Sequence, residues 1–258
     1  MIKKIILTTF AMLFFVQLAQ SQVLISLLFG DKLNSDKIKF GLDGGINFSN
    51  VSNLPTSKTS TNFNIGFYFD FKLNDNSDNW FLHSGVKVKS TMGAEMSPYS
   101  LENRSLDSLF ANGNIKRKIN YFNVPALLRY KFESKLFIEL GPVISLRYKA
   151  VDEFSSEVED NNTLSYKRDI RDEIKRIDLG FEGGIGYLLK PLNGMNVGVR
   201  YYQGLLNTST LSVESPQRNR SLSIFASIPI GAGDKAKAKN AAAKDKKELK
   251  KVEKEKTN

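Results

Sequence analysis

The sequence predicts an all-β fold, an eight-stranded antiparallel up-and-down barrel. Three observations carry this expectation. Eight segments place an apolar residue at every second position, which is the period of a half-buried strand. Each runs to roughly 9–14 residues, longer than a soluble sheet usually needs and enough for a tilted bilayer crossing. The links between them alternate brief and long, as in a barrel whose two ends face different compartments.

Taken in order, residues 38–50 set Ile38, Phe40, Leu42, Ile46 and Phe48 against Lys39, Asp43 and Asn47. Residues 62–73 oppose Phe63, Ile65, Phe67, Phe69 and Phe71 to Asn64, Tyr68, Asp70 and Lys72. In 80–92, Trp80, Leu82, Val86 and Val88 face away from Phe81, His83, Lys87 and Lys89. Residues 118–132 place Phe122, Val124, Ala126, Leu128 and Tyr130 opposite Asn123, Arg129 and Lys131. The cleanest alternation is 135–150, with Leu136, Ile138, Leu140, Ile144, Leu146 and Tyr148 against Glu139, Ser145, Arg147 and Lys149. The sixth, 176–189, opposes Ile177, Leu179, Phe181 and Ile185 to Asp178, Glu182 and two glycines. Val197, Val199 and Tyr201 face away from Asn196, Arg200 and Tyr202 in 195–206. The last, 219–231, sets Leu222, Ile224, Ala226 and Ile228 against Ser221, Ser223, Phe225 and Ser227.

The short links are 74–79, the turn at Glu133-Ser134, and 190–194, all rich in turn formers. The longer, polar ones are 51–61, 93–117, 151–175 and 207–218. With a periplasmic amino terminus, the first strand runs outward and every long link lies outside the cell.

Alternation alone does not say which face is inside. Aromatics near the strand ends (Phe48, Phe71, Trp80, Tyr130, Phe132, Tyr148, Tyr187, Tyr201) suit interfacial girdles. The polar face carries both signs at matching depth: Asp43, Asp70, Glu139, Asp178 and Glu182 against Lys87, Arg129, Arg147 and Arg200. Buried charges must pair, so these nine residues are expected to form a structural charge network in the lumen. Eight strands enclose just enough room for their own side chains. The expectation is therefore a transmembrane barrel with a closed, side-chain-filled lumen rather than a pore.

The ends of the chain read differently. Residues 1–21 have the form of a signal peptide, with Lys3 and Lys4, an apolar run Ile5 to Val16, and Ala19-Gln20-Ser21 as the small-x-small site. The alternative, one membrane helix continuing through Phe29, is interrupted by Gln17, Gln20, Ser21 and Gln22. Residues 22–37 form a short amphipathic periplasmic lead-in, 38–231 the barrel, and 232–258 a basic tail of Lys, Ala and Glu. The formal charge of +10 divides into +2 from the leader, +5 from the tail and +3 over the rest. That distribution leaves no nucleic-acid-binding face. The tail lacks an apolar stripe, so it reads either as a solvated appendage or as an electrostatic tether to anionic lipid or a periplasmic partner.

Other chemistry finds little support. The chain has no cysteine, so disulfides, thiolate metal sites and a lipid-anchored amino terminus are excluded. His83 is the one histidine, and a Ser/His site would need it beside a serine and an acid; its place among lumen charges gives it a structural part instead. Asp152-Glu153 and Glu157, Glu159 and Asp160 cluster in one long link, without the spacing or glycine of a calcium loop. LDGGINF (42–48) and FEGGIGY (181–187) echo each other, and with no following helix their glycines relieve crowding rather than bind phosphate. No cofactor or metal is expected.

Tyr121 to Pro125 in YFNVPALLRYKF, followed by a tight turn and Leu140-Gly141-Pro142, resembles the PorT-like outer-membrane β-barrel family of the Bacteroidota. FGLDGGINFSNV and GFEGGIGY look like the same family, and the likeness spans roughly residues 22–231. It implies a barrel in the Gram-negative outer membrane, handled by barrel-assembly machinery and surrounded by outer-membrane lipids. The namesake's association with type IX secretion implies an accessory part in protein export as one role, with secretion-system or periplasmic proteins as partners. The chain departs from the pattern where its last strand ends Ile228-Pro229-Ile230-Gly231, without a terminal aromatic, and continues into the tail. The leading expectation is a non-enzymatic structural or surface-interaction protein acting through its long extracellular links. The export role is the alternative, and a membrane-embedded lipid-modifying hydrolase is third.

Overall fold

The computed structural model describes residues 35, 37–74, 77–158, 162–189, 194–211 and 214–230. The expected leader, most of the lead-in and the tail lie outside the described residues. The elements are β1 (Ile38–Ser52), β2 (Ser60–Lys72), β3 (Trp80–Met96), α1 (Arg104–Phe110), β4 (Asn114–Lys131), β5 (Leu136–Val158), β6 (Asn162–Asp169), a 3-10 turn (Arg171–Glu173), β7 (Ile177–Leu189), β8 (Met195–Gly204) and β9 (Arg218–Pro229).

Eight of these strands close on themselves. The order β1-β2-β3-β4-β5-β7-β8-β9 is antiparallel throughout, and β9 returns to β1 with Leu42 opposite Ile228. Closure leaves the ring no free edge, which a sheet inside hydrocarbon requires. β6 stands outside the ring and pairs with the outer half of β5, from Val151↔Asp169 to Val158↔Asn162. Two of the expected long links are therefore partly strand: β3, β4 and β5 all run past the barrel wall. Their extensions are held by an apolar cluster of Met96, Phe110, Ile115 and Phe154. α1 sits on that cluster, and Asn103 Oδ1 caps it by accepting from the Ser105 and Leu106 N–H groups at 3.1 and 3.2 Å.

The apolar flank of the ring faces outward, with Leu140 63% and Ile144 57% exposed. The inward flank buries Tyr68, Tyr121, Leu127, Phe137, Val143 and Tyr202. Irregular pairing between Lys87 and Ser90 and between Asn120 and Tyr121 shifts the alternation locally. Lys89 and Lys149, placed on the polar face by strict alternation, are exposed for this reason, since each extra residue in a strand turns those after it to the other side. The brief links join β2 to β3, β4 to β5 and β7 to β8 at one end, where β1 begins and β9 ends. The long links and the β5–β6 hairpin form the other end.

Candidate functional site

Every strand of the ring sends a side chain into one polar cluster in the half nearer the brief links. Asp43 comes from β1, Asp70 from β2, His83 and Lys87 from β3, Arg129 from β4, Glu139 from β5, Glu182 from β7, Arg200 from β8 and Ser227 from β9. Arg129 and Glu139 are opposite each other across the β4–β5 pair, and Nη2 lies 2.6 Å from Oε2. The same guanidinium reaches Asp70 Oδ2 at 3.0 Å. Arg200 Nε lies 2.5 Å from Glu139 Oε1, and its Nη1 2.7 Å from Asp43 Oδ2. Lys87 Nζ donates to both Glu182 oxygens at 2.9 and 3.0 Å.

Neighbouring groups complete the set. Ser227 Oγ donates to Asp43 Oδ1 at 2.7 Å. His83 stands 2.7 Å from Asp70 through Nδ1 and 3.2 Å from Arg200 Nη2 through Nε2. This arrangement fits a neutral imidazole that donates from Nδ1 and accepts at Nε2. Arg200 lies 3.6 Å from the Phe225 ring centroid and Arg129 4.4 Å from that of Phe137, so the flat guanidinium faces are covered as well as the edges. A glycine makes room: a Cβ at Gly184 would stand 2.9 Å from Arg200 Cγ and 3.2 Å from Glu139 Oε1.

Two of the nine expected network members stand apart. Asp178 is fully buried, but it is met by Tyr202 Oη at 3.1 Å and Asn219 Nδ2 at 2.8 Å, with no cation among its hydrogen-bond partners. It sits among the neutral side chains of Tyr121, Asn123 and Asn219, nearer the long links. Arg147 makes no ion pair among the described residues, and its Nε is buried without a partner. Asp178 shares the inward face with Arg200 at another depth, while Arg147, beside the irregular pairing at Asn120/Tyr121, lines a cleft in the wall.

At the long-link end the strand extensions enclose a pocket of about 610 Å³ lined in part by Leu54, Pro98, Tyr99, Arg117, Arg168 and Leu211. Arg117 grips Asp152 with Nε and Nη2 at 2.8 and 2.7 Å. Tyr99 Oη donates to Asp152 Oδ2 at 2.8 Å and accepts from Arg168 Nη1 at 2.8 Å. Arg168 in turn pairs with Glu173. Burial first, and the Asp152 carboxylate second, push the Tyr99 phenol up to about 12. Asp152 and Glu153, considered above for calcium, are taken up by cations: Asp152 by Arg117, and Glu153 by Lys118 and Lys167. Among the described residues no group of three or more His, Asp or Glu is placed to hold a metal. Sequence reasoning missed this mouth, since Tyr99, Arg117, Asp152 and Arg168 come from links read as loops. The alternation of Ile115, Arg117 and Ile119 was the available signal.

Among solved structures, the chain is similar to Ail, the attachment invasion locus protein of Yersinia pestis, at 12% identity and a TM-score of 0.38, covering 75% of this chain and 98% of that one. Neisserial surface protein A shares 13% identity with a TM-score of 0.34, over 74% and 96%. The outer membrane protein OprG from Pseudomonas aeruginosa shares 11% with a TM-score of 0.33, over 74% and 91%. Likeness at this level says nothing about what the chain binds. No curated protein matches the sequence. A protein family described as "Outer membrane protein beta-barrel domain" matches residues 19–210. With that match over well more than half its length, and with eight antiparallel strands closed in a ring, the chain belongs to the outer membrane β-barrel domain family.

Proposed function

We propose that this outer-membrane protein is a non-conducting, non-enzymatic barrel that presents its long-link end, with the mouth pocket, to partners outside the cell. The observation that carries this reading is the division of the interior. Ion pairs contributed around the ring fill one half, while the opposite end is extended, braced and hollowed into a pocket. A barrel serving as a conduit would leave its centre open, whereas here structure beyond the wall is the better developed part. In this reading residues 1–21 are a cleaved leader, both ends of the mature chain are periplasmic, and residues 232–258 are a periplasmic tail. Of the nine charged residues named from the sequence, Asp43, Asp70, Lys87, Arg129, Glu139, Asp178, Glu182 and Arg200 serve the barrel structurally. A hydrolase would need His83 free to take a proton from a serine, and both of its ring nitrogens are already engaged.

A second role rests on the likeness of Tyr121–Pro125 and Leu140–Pro142 to PorT-like barrels: assistance to protein export through the periplasmic side and tail. Gene deletion separates the two. A surface role predicts normal release of secreted proteins together with loss of a surface property restored by wild-type protein but not by an Arg117→Ala, Tyr99→Phe variant. Secreted cargo held in the periplasm would overturn it in favour of export.

A further inference from the structure

We infer that the outer wall between β5 and β7 carries a site for the phosphate of an outer-leaflet glycolipid headgroup. The proposal rests on the orientation given above. β6 leaves β5 at Val151↔Asp169, and β7 joins it at Leu146↔Ile177. Between those points β5 is bordered by the connection 170–176, tied by the Arg147 N–H to the Arg176 carbonyl at 2.7 Å and the Ile170 N–H to the Ala150 carbonyl at 3.1 Å. This departure from regular pairing leaves a cleft of about 590 Å³ in the wall.

The cleft has two kinds of lining. Phe122, Leu146 and Tyr148 are outward-facing and 39–40% exposed; Phe122 and Tyr148 lie 4.6 Å apart by ring centroid. Beside them stand Arg147, Arg171 and Arg176, with Asp172 the one acid. Arg171 is held by Asp169 at 2.8 Å. Arg147 and Arg176 form no ion pair among the described residues, and Arg147 Nε is buried without an acceptor. A buried donor left unpaired is costly, and a guanidinium fork matches the oxygens of a phosphate two at a time. One phosphate held in the cleft by Arg147 and Arg176 would offset the positive charge that Asp172 alone leaves unbalanced.

Depth selects a lipid over a soluble anion. From Leu136, at the brief-link end, ten residues of β5 lead to Leu146; at about 3.4 Å each and a tilt near 40° they rise about 25 Å, the height of the apolar band. The cleft thus opens where acyl chains end and headgroups begin. Its aromatic floor suits the upper acyl carbons and sugar ring, and its arginines suit the phosphate.

The test is titration of the full-length barrel, in detergent, with a phosphorylated lipopolysaccharide, the same glycolipid dephosphorylated, and inorganic phosphate, scored by native mass spectrometry. Wild type should bind the phosphorylated glycolipid at least about tenfold more tightly than the dephosphorylated form. Arg176→Gln should lose about tenfold and the Arg147→Gln, Arg176→Gln pair more. Because Arg176 is exposed, its single variant reports even where the pair folds poorly. Equal binding by Arg176→Gln and wild type, indifference to dephosphorylation, or displacement of the glycolipid by equimolar inorganic phosphate would each overturn the site. Orientation is read separately: in this cysteine-free chain, Thr59→Cys should react with an impermeant maleimide on whole cells. Arginine-dependent binding with no labelling of Thr59→Cys would overturn the outward orientation and the outer-leaflet source together.

Discussion

Arg129 and Arg200 are both almost fully buried; Arg129 answers two carboxylates and Arg200 three. Removing one strands charge where water cannot reach it, which costs more than the pair itself contributes. Arg200→Ala leaves Asp43 and Glu139 short of a partner, so a loss of about 3–5 kcal/mol is expected. The check is urea unfolding in detergent, followed by heat-shifted gel mobility. Replacing Arg129 by Met and Glu139 by Leu together should cost less than Arg129→Met alone, because the double change leaves fewer buried charges unanswered. Gly184 belongs to the same account, since the close approach of Arg200 and Glu139 uses the space its side chain would fill.

Among elements, the extensions of β3, β4 and β5 depend on two supports, the Phe110–Phe154 cluster and the chain of contacts from Arg117 through Asp152 and Tyr99 to Arg168. Tyr99 donates its proton to Asp152, so the link exists only while the phenol is protonated. In the folded mouth the phenol titrates at about 12 instead of 10.0, through burial first and the Asp152 charge second. A raised acid in the folded state confers stability that is complete below pH 10 and declines as pH rises toward 12. Hydrogen exchange of residues 97–117 should thus be constant from neutral pH to about 9, after allowance for intrinsic base catalysis, and accelerate above 10. Tyr99→Phe should abolish the added alkaline step while leaving the ring strands protected. An unchanged step in Tyr99→Phe would mean another group controls the mouth.

For the molecule as a whole, the charged cluster and the layer containing Tyr121 and Tyr202 close the centre at two depths. Reconstituted into a planar bilayer, the protein should show no steady ion conductance at neutral pH. The Arg129→Ala, Arg200→Ala variant, if it inserts, should show flicker or measurable leak, because it removes the two largest side chains of the cluster. Stable open-channel steps from wild type would contradict the closed-lumen reading.

Much of this was legible in residue order. The period of two set which flank of each strand faces lipid, and the turn at Glu133-Ser134 marked where the chain reverses between β4 and β5. Eight such segments permit closure without an edge, so ring, faces and brief-link end follow from local chemistry. Partner choice did not follow, because alternation assigns a side and leaves depth open. Arg147 and Arg200 look equivalent in sequence, yet one joins Glu139 and Asp43 and the other sits at the rim with its Nε unanswered. The stagger between strands, set by closure and by irregular pairings such as that at Asn120/Tyr121, determines which charges share a level. The β5–β6 hairpin and the mouth were hidden for a related reason. Their apolar residues are few and distant in sequence, and Met96, Phe110, Ile115 and Phe154 form a core only once the ring has brought their strands side by side.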